Sequence, residues 1–320
     1  MLKAALVYNP QSGRVRGRRP AEIESVQAEL RAAGVDVALV TTNSSQDATE
    51  QTRRAIARGC DTILACGGDG TINNVLQGLV GSAAALGVIP LGTANALAHD
   101  LGLPLSPVAA ARAALSAVPH RIAVGQITYR DVSGNPALRY FSVTAGVGVD
   151  AHLFYDLNTL VKGHAGMLAY YLKALRLWLT HKMQFFDVDF TTSAGEPARA
   201  NVSELLAVRI TNFGGILRQL APGASLLRND LRIVLFKTSN RWSYLRYVIR
   251  GTMGAEWKIP GIELEFVDKV TCQAAHSSEH QSEDKPKIHV EADGELLGTL
   301  PSEISIVPDA FTILRPIANH

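Results

Sequence analysis

The chain has 320 residues, of which 47 % are hydrophobic, so it is long enough to form two domains with separate cores. Its 31 Lys and Arg residues against 29 Asp and Glu leave a formal charge of +2, without the basic excess of a dedicated nucleic-acid-binding protein, and no nucleic-acid partner is predicted. Three cysteines, an odd number without CxxC spacing, argue against a disulfide framework or a zinc site and predict a reduced, cytoplasmic protein.

The first 120 residues alternate short apolar runs with amphipathic stretches. This order predicts strands and helices in succession, which form a parallel sheet covered by helices. The runs at 4–8 and 62–66 are almost wholly apolar, as expected of strands buried on both faces. The predicted elements are 4–8, 21–33, 35–40, 47–58, 62–66, 71–79, 86–90 and 108–117.

From about Arg121 the segments are richer in β-branched residues and alternate in polarity, which predicts mostly antiparallel β-structure. A helix is predicted at 161–180, where aromatic and aliphatic residues recur near helical spacing. The polar stretch 276–287 is predicted to be a loop. The predicted strands are 122–129, 139–144, 185–191, 205–211, 232–238, 263–272, 287–292 and 305–313.

A glycine-rich turn, Gly67-Gly68-Asp69-Gly70, separates the buried run 62–66 from the predicted helix 71–79. Such a turn directs backbone N–H groups toward one point near the helix N-terminus, where a phosphate group binds favourably. Glycines allow the backbone to approach a ligand closely. A carboxylate beside phosphates, here Asp69, is typical of sites in which Mg²⁺ lies between them.

Two further loops follow predicted strands: NPQSG at 9–13 and PLGTAN at 90–95. In an open parallel sheet, ligands bind at the carboxyl ends of the strands, so the three loops together predict one nucleotide site. Taken alone, GGDG is equally compatible with an ordinary turn, and each of the other two loops is more typical of a tight turn.

These residues, in this order, are similar to the diacylglycerol kinase-like catalytic family, which includes bacterial lipid kinases, sphingosine kinases and ceramide kinases. The matching stretches are 9–13, GGDGTIN at 67–73, GTAN at 92–95, AGVGVDA at 145–151 and DGE at 293–295. The resemblance therefore covers nearly the whole chain, and its motifs are specific as an ordered set.

The resemblance implies an α/β plus β fold. Residues 1–123 would form an N-terminal parallel-sheet α/β domain that binds ATP. Residues 124–304 would form a C-terminal antiparallel β-sandwich domain for the lipid, and 305–320 a terminal strand returning to the first domain. ATP would bind between the domains, and the lipid hydroxyl would be delivered to its γ-phosphate.

The resemblance also implies roles for individual residues. Asp293 or Glu295 would orient or deprotonate the attacking hydroxyl, since phosphoryl transfer needs one carboxylate that accepts the substrate proton. Taken without the family, Asp293-Gly294 is a strong hairpin-turn signal. Asp69 would act with Mg²⁺ at the phosphates. The implied nucleotide contacts are Asn9, Ser12, Gly13, Thr42, Gly67, Gly68, Asp69, Gly70, Thr71, Asn74, Thr93 and Asn95.

The sequence departs from the family at four places. Asn74 stands where a Glu is usual, Ala96 where an Asp is usual, and His99 where an Arg is usual. In a loop where many bacterial members bind a structural Mg²⁺, the sequence here is LLRNDL at 226–231, with Asp230 as its single acid and candidate metal ligand.

The predicted partner is a lipid substrate at a membrane surface, with the protein peripheral to the inner face of the membrane. Two segments are candidates for peripheral membrane contact: the arginine-rich run 14–19 and the helix 161–180. For the arginine-rich run a solvated loop is the favoured interpretation, and for the helix 161–180 packing on the sandwich is favoured. The sequence leaves open whether the chain forms homo-oligomers.

Two other functions remain compatible with the motifs. An NAD kinase-like enzyme shares the GGDGT signature, although 9–13, 92–95 and 293–295 fit lipid kinases better. A regulator that binds nucleotide or lipid without turnover is compatible with Asn74 and the altered loop around Asp230.

Overall fold

The computed structural model describes residues 1–10, 19–148, 183–214, 219–254, 258–275 and 287–317. The predicted helix at 161–180, the run 14–18 and most of the polar stretch 276–287 lie outside these ranges. The chain divides into two units, each with its own core. The α/β unit comprises 1–124, 212–216 and 307–320, and the β unit comprises 125–211 and 217–306.

The elements of the α/β unit are β1 (Lys3–Tyr8), α1 (Arg19–Ala32), β2 (Asp36–Thr41), α2 (Ser45–Ala57), β3 (Thr62–Gly67), α3 (Asp69–Leu79), β4 (Ala85–Pro90), α4 (Ala96–Asp100) and α5 (Pro107–Ser116). Its parallel strands lie in the order β2-β1-β3-β4, and the end of the last strand of the chain, β15 (Glu295–Arg315), pairs in parallel with β4. Strands β1 and β3 are buried, as predicted, and so is β4, whereas β2 is the partly exposed edge.

Helices pack against this sheet through small and aliphatic residues. On the side of α1 and α5, Ile23, Val26 and Leu30 join strand residues and Ala110 in one buried cluster. At the contact between α2 and α3, a Cβ on Gly78 would lie 2.4 Å from the Thr49 carbonyl oxygen, so only glycine permits this helix spacing. The start of α2 is capped by Ser44, whose side chain accepts a hydrogen bond from the N–H of Asp47.

The β unit is antiparallel. The elements are β5 (Val118–Arg130), β6 (Pro136–Phe141), β7 (Thr144–Gly148), β8 (Phe186–Thr191), β9 (Pro197–Val202), β10 (Glu204–Val208), β11 (Leu231–Phe236), α6 (Arg241–Met253), β12 (Ile262–Val267), β13 (Lys269–Ala274), β14 (His289–Ala292) and β15 (Glu295–Arg315). One set of strands lies in the order β12-β11-β10-β7-β14-β15. Strand β15 also pairs with β13, which continues to β8 and β9, and with β5, which continues to β6.

Several elements of the β unit differ from the sequence prediction. Strand β9 was not predicted, and β15 begins at Glu295 rather than at 305. The predicted strand 139–144 is interrupted, since β6 ends at Phe141 and β7 begins at Thr144. The predicted strand 263–272 is two strands, β12 and β13, with different partners. The helix α6 was not predicted from sequence. Among the described residues, no helix is both long and apolar enough to cross a membrane.

Candidate functional site

The carboxyl ends of the parallel strands bring the predicted nucleotide residues to one edge of the α/β unit. Tyr8 at the end of β1 is in register with Thr41 of β2 and Cys66 of β3, and Gly67 is in register with Pro90 of β4. Asn9 and Thr42 follow directly after two of these ends. The N–H of Thr42 donates to the Tyr8 carbonyl oxygen at 3.0 Å, which links the two loops.

The two glycine loops of this edge touch each other through their backbones. A Cβ on Gly92 would lie 2.4 Å from the Cα of Gly68, and one on Gly68 would lie 3.0 Å from the Cα of Gly92. Position 92 must therefore remain glycine for the loops to meet in this way, and a side chain at position 68 would be tightly packed against the second loop. Gly67 is also restricted, because a Cβ there would overlap the side chain of Thr71 at 2.3 Å from its Oγ1.

Gly68 precedes α3, so the positive end of this helix begins at the loop. Asp69 lies in the first helical turn, and the carbonyl of Gly68 accepts from the N–H groups of Thr71 and Ile72 at 2.9 and 3.1 Å. Gly70 is exposed, and a Cβ there would meet no protein atom within 4 Å. The loop thus leaves open space directly beside a helix N-terminus and a carboxylate.

Asn95 has a structural role that the motif did not reveal. It is buried in the left-handed conformation, with φ of 50°. Its Oδ1 accepts from the Gly92 N–H at 2.9 Å, and its Nδ2 donates to the Gly92 carbonyl at 3.0 Å. Asn95 therefore closes the second glycine loop, and its contact with a nucleotide stays a prediction.

The remaining predicted nucleotide residues differ in their burial and in their contacts. Thr93 is exposed in the second loop, whereas Thr42 is buried. Asn74 is partly buried on α3, and its carbonyl accepts a hydrogen bond from Thr49 Oγ1 at 3.0 Å. Ser12 and Gly13 lie outside the described residues.

In the β unit, Asp293 occupies a two-residue turn between β14 and β15. Asp293 and Gly294 both have positive φ, 47° and 78°, as in the turns that favour Asp-Gly in hairpins. The Asp293 carboxylate accepts four hydrogen bonds from the bend between β6 and β7. Their donors are the N–H and hydroxyl of Ser142, at 2.9 and 3.3 Å, and the N–H groups of Val143 and Thr144, at 2.9 and 3.0 Å.

Glu295, at the start of β15, has a different environment. Its Oε2 lies 2.6 Å from Nη2 of Arg139, and its side chain is 45 % exposed. Glu291, which the sequence analysis did not single out, is buried, and its Oε2 accepts from the Gly294 N–H at 2.9 Å. The available signal in the sequence was a single acid in the strand HVEA, two residues before the DG pair. Glu291 and Asp293 thus support the turn, whereas Glu295 has a partly exposed side chain.

The candidate metal ligand Asp230 is held in an ion pair. Its Oδ1 accepts from Nε of Arg228 at 2.6 Å, and the Arg228 guanidinium also lies 4.0 Å from the centre of the Phe266 ring. Among the described residues, no cluster of three or more His, Cys, Asp or Glu side chains forms a metal site. Metal binding by Asp230 stays a prediction.

A buried arginine organises the loop that contains Asp230. The Arg209 guanidinium donates to the carbonyl oxygens of Leu226, Arg228 and Asp230 at 3.0, 2.8 and 2.9 Å. Burial lowers the pKa of Arg209 to about 10, and the nearby charge of Asp230 opposes this shift. Arg209 therefore carries its charge at neutral pH, and three loop carbonyls converge on a cation that belongs to the chain itself.

The combination of a parallel α/β unit and a β-sandwich defines a fold shared by diacylglycerol kinases and NAD(H) kinases. A solved structure from Bacillus anthracis strain Sterne, described as a diacylglycerol kinase, matches with a TM-score of 0.68 and 19 % identity, covering 98 % of this chain and 96 % of that one. Yeast NADH kinase, solved in complex with NADH, matches with a TM-score of 0.51 and 11 % identity, over 99 % of this chain and 84 % of that one. At these identities the likeness shows the fold alone.

Two family models then place the chain within this class. The diacylglycerol kinase catalytic domain matches residues 3–127, and the YegS C-terminal NAD kinase beta sandwich-like domain matches residues 142–315. The chain belongs to the diacylglycerol kinase-like family, and it is a kinase that phosphorylates an alcohol group. The family, the fold class and the enzyme class predicted from sequence are confirmed.

Curated relatives match over nearly their full length. The diacylglycerol kinase of Bacillus subtilis (strain 168) is 29 % identical over 306 residues, which is 95 % of this chain and 93 % of the relative. The diacylglycerol kinase of Mycobacterium tuberculosis (strain ATCC 25618 / H37Rv) is 29 % identical over 315 residues, 98 % of this chain and 95 % of the relative.

Proposed function

We propose that this protein transfers the γ-phosphoryl group of ATP, with Mg²⁺, to a hydroxyl of diacylglycerol or of a related lipid such as a sphingoid base. The observation that carries the proposal is the backbone contact between Gly68 and Gly92 beside the N-terminus of α3, in a chain of this family. The relatives' names make diacylglycerol the first acceptor to test.

The α/β unit fits the phosphates of a nucleotide. Space beside Gly70 is open, the helix N-terminus favours negative charge, and the glycines keep side chains away from the loop. Mg²⁺ in kinase sites is held by one or two carboxylates together with substrate phosphates, so Asp69 is the residue that would hold it. When bound, the ion neutralises charge on the phosphates. Asn9, Thr42 and Thr93 would contact the rest of the nucleotide.

The β unit supplies two acids with separate roles. Asp293 receives four hydrogen bonds, which occupy the positions through which a carboxylate would accept a substrate proton. We therefore assign Asp293 the positioning of the turn, and Glu295 the acceptance of the proton. The acceptor oxygen forms its bond to the γ-phosphorus, the bond to ADP breaks, and the hydroxyl proton moves to Glu295.

The test is transfer of label from γ-labelled ATP to acceptors in detergent micelles. The panel contains diacylglycerol, a sphingoid base, ceramide and, as a separate aqueous acceptor, NAD. Labelled phosphatidate is the expected product, with formation dependent on Mg²⁺. Formation of labelled NADP without any labelled lipid would overturn the proposal in favour of an NAD kinase-like enzyme.

A regulator without turnover is the other rival. It predicts nucleotide binding with no labelled product from any acceptor, in wild type and variants alike. Loss of transfer in Glu295→Gln, measured against an active wild type, would reject it.

A further inference from the structure

Helix α6 of the β unit exposes four large apolar side chains, and all of them except Val248 lie along one face. Trp242 and Met253 are 66 % and 67 % exposed, and Val248 and Ile249 are 45 % and 41 % exposed. At 3.6 residues per turn, Trp242, Ile249 and Met253 fall within about 40° of the helix circumference, with Leu245 beside them. We refer to Trp242, Leu245, Ile249 and Met253 as the α6 stripe.

The opposite face of α6 is fixed in the core. The Tyr244 ring stacks on Phe236 of β11 at 4.6 Å, and the Tyr247 ring meets the same Phe236 edge-on at 4.9 Å. The Tyr244 hydroxyl lies 2.8 Å from Ser203 Oγ, and Arg250 donates to the Leu220 carbonyl at 3.1 Å. The helix cannot rotate about its axis without breaking these contacts, so they keep the α6 stripe on the outward face.

The stripe is unusual within the described part of the chain. Other exposed large apolar residues there occur one at a time along the sequence, in different strands, loops and chain ends. Single exposed apolar residues are normal at protein surfaces, whereas several on one helix face mark an interaction surface.

Charge identifies the kind of partner. The 13 residues of α6 include Arg241, Arg246 and Arg250 and no acidic residue. Arg246 is exposed at one edge of the stripe, and Arg241 lies toward the other edge. A helix with Trp and aliphatic residues in its exposed face and arginines along the borders matches the interfacial region of a bilayer that contains anionic lipids. A symmetric contact between two copies of α6 would instead bring arginines together without compensating acids.

We infer that the α6 stripe inserts into the headgroup region of an anionic phospholipid bilayer and that Arg246 pairs with lipid phosphates there. This inference rests on the proposed function, since a lipid acceptor resides in such a bilayer. It places membrane contact on an element other than the two segments suggested by the sequence.

The experiment measures co-flotation of the full chain with phosphatidylcholine vesicles, prepared with and without phosphatidylglycerol. Wild type is expected to bind the anionic vesicles preferentially. The double variant Ile249→Gln/Met253→Gln is expected to lose about tenfold or more of this binding, because it removes apolar contact without changing charge. Val132→Gln, at an exposed apolar position in the turn between β5 and β6, is the matched control and is expected to bind like wild type.

A separate variant tests the contribution of charge to membrane binding. Arg246→Gln is expected to weaken binding to anionic vesicles and to reduce its sensitivity to salt. Equal binding of wild type to neutral and anionic vesicles would overturn the inference, as would full binding by the double variant. Conversion of a wild-type dimer into a monomer by the double variant would overturn it in favour of self-association.

A second acceptor separates this inference from the proposed function. The double variant is expected to phosphorylate a dispersed short-chain diacylglycerol at the wild-type rate and vesicle-embedded diacylglycerol more slowly. If wild type phosphorylates no lipid, the proposed function fails, and the flotation result still decides the role of the α6 stripe.

Discussion

Asp293 links two bends of the β unit through a single carboxylate. Its oxygens receive four hydrogen bonds from residues 142–144, and its own N–H donates to the Thr144 carbonyl at 2.8 Å. These donors lie about 150 positions away along the chain, so the turn and the β6–β7 bend stabilise each other.

We expect Asp293→Asn to lower the free energy of unfolding by about 2 kcal/mol. The new amide group would face backbone N–H donors, so part of the network would lose its acceptor. Urea unfolding measures the effect. Asp131→Asn is the matched control, since Asp131 accepts two backbone N–H bonds in an exposed turn of the same unit. Equal loss in both variants would contradict the special role of Asp293.

Glu295→Gln tests chemistry rather than stability. Its ion pair with Arg139 is partly exposed and contributes little to folding, so the melting temperature should stay near that of wild type. We expect kcat for lipid phosphorylation to fall by about 10² to 10⁴, with little change in KM for ATP, because a proton acceptor acts in the transition state. Steady-state kinetics at saturating lipid measure both constants. If the Glu295→Gln variant kept the wild-type kcat, a group other than Glu295 would accept the proton.

At the scale of the element, the two glycine loops contain one glycine whose replacement should weaken ligand binding and another whose replacement should destabilise the protein. Gly70→Ala adds a methyl group where no protein atom lies within 4 Å, and alanine favours the helix. We expect its stability to equal or exceed that of wild type while its nucleotide affinity falls, since the methyl group enters the proposed phosphate site. Calorimetric titration with ATP and a thermal melt measure the two properties.

Gly92→Ala serves as the comparison, because its Cβ would overlap the backbone of Gly68. It should lose about 1 to 3 kcal/mol of stability together with nucleotide binding. Undiminished ATP binding by Gly70→Ala would place the phosphates elsewhere.

Sequence patterns predicted some elements and missed others for physical reasons. The phosphate loops were predictable because parallel strands end at one edge and their glycines lie next to one another in sequence. The Asp293 network was not, because its donors are distant in sequence and are backbone groups. Helix α6 was missed because its two faces are both partly apolar: Tyr244 and Tyr247 pack inward, while Trp242 and Ile249 face outward, and this removes the periodicity that reveals a helix.

At the scale of the whole molecule, each unit contains a buried cysteine whose chemical labelling reports how often that unit opens. Cys66 lies in β3 of the α/β unit, and Cys272 lies in β13 of the β unit; both are free and buried. Burial raises the pKa of both thiols, that of Cys272 to about 12. Because the thiolate is the reactive form, labelling of either cysteine requires its unit to open.

We expect ATP to slow the labelling of Cys66 more than that of Cys272, since the proposed phosphate contacts belong to the α/β unit. A ligand at about 100 times its Kd stabilises the state that binds it by about 2.7 kcal/mol. If labelling is proportional to the equilibrium population of the open unit, this stabilisation makes labelling roughly 100-fold slower. Cys60→Ser removes the other thiol of the α/β unit, and peptide mass spectrometry then follows the two remaining sites. In the Gly70→Ala background the protection of Cys66 should be weaker at the same ATP concentration. If saturating ATP did not slow the labelling of Cys66, ATP would not bind to the α/β unit, and the assigned site would be contradicted.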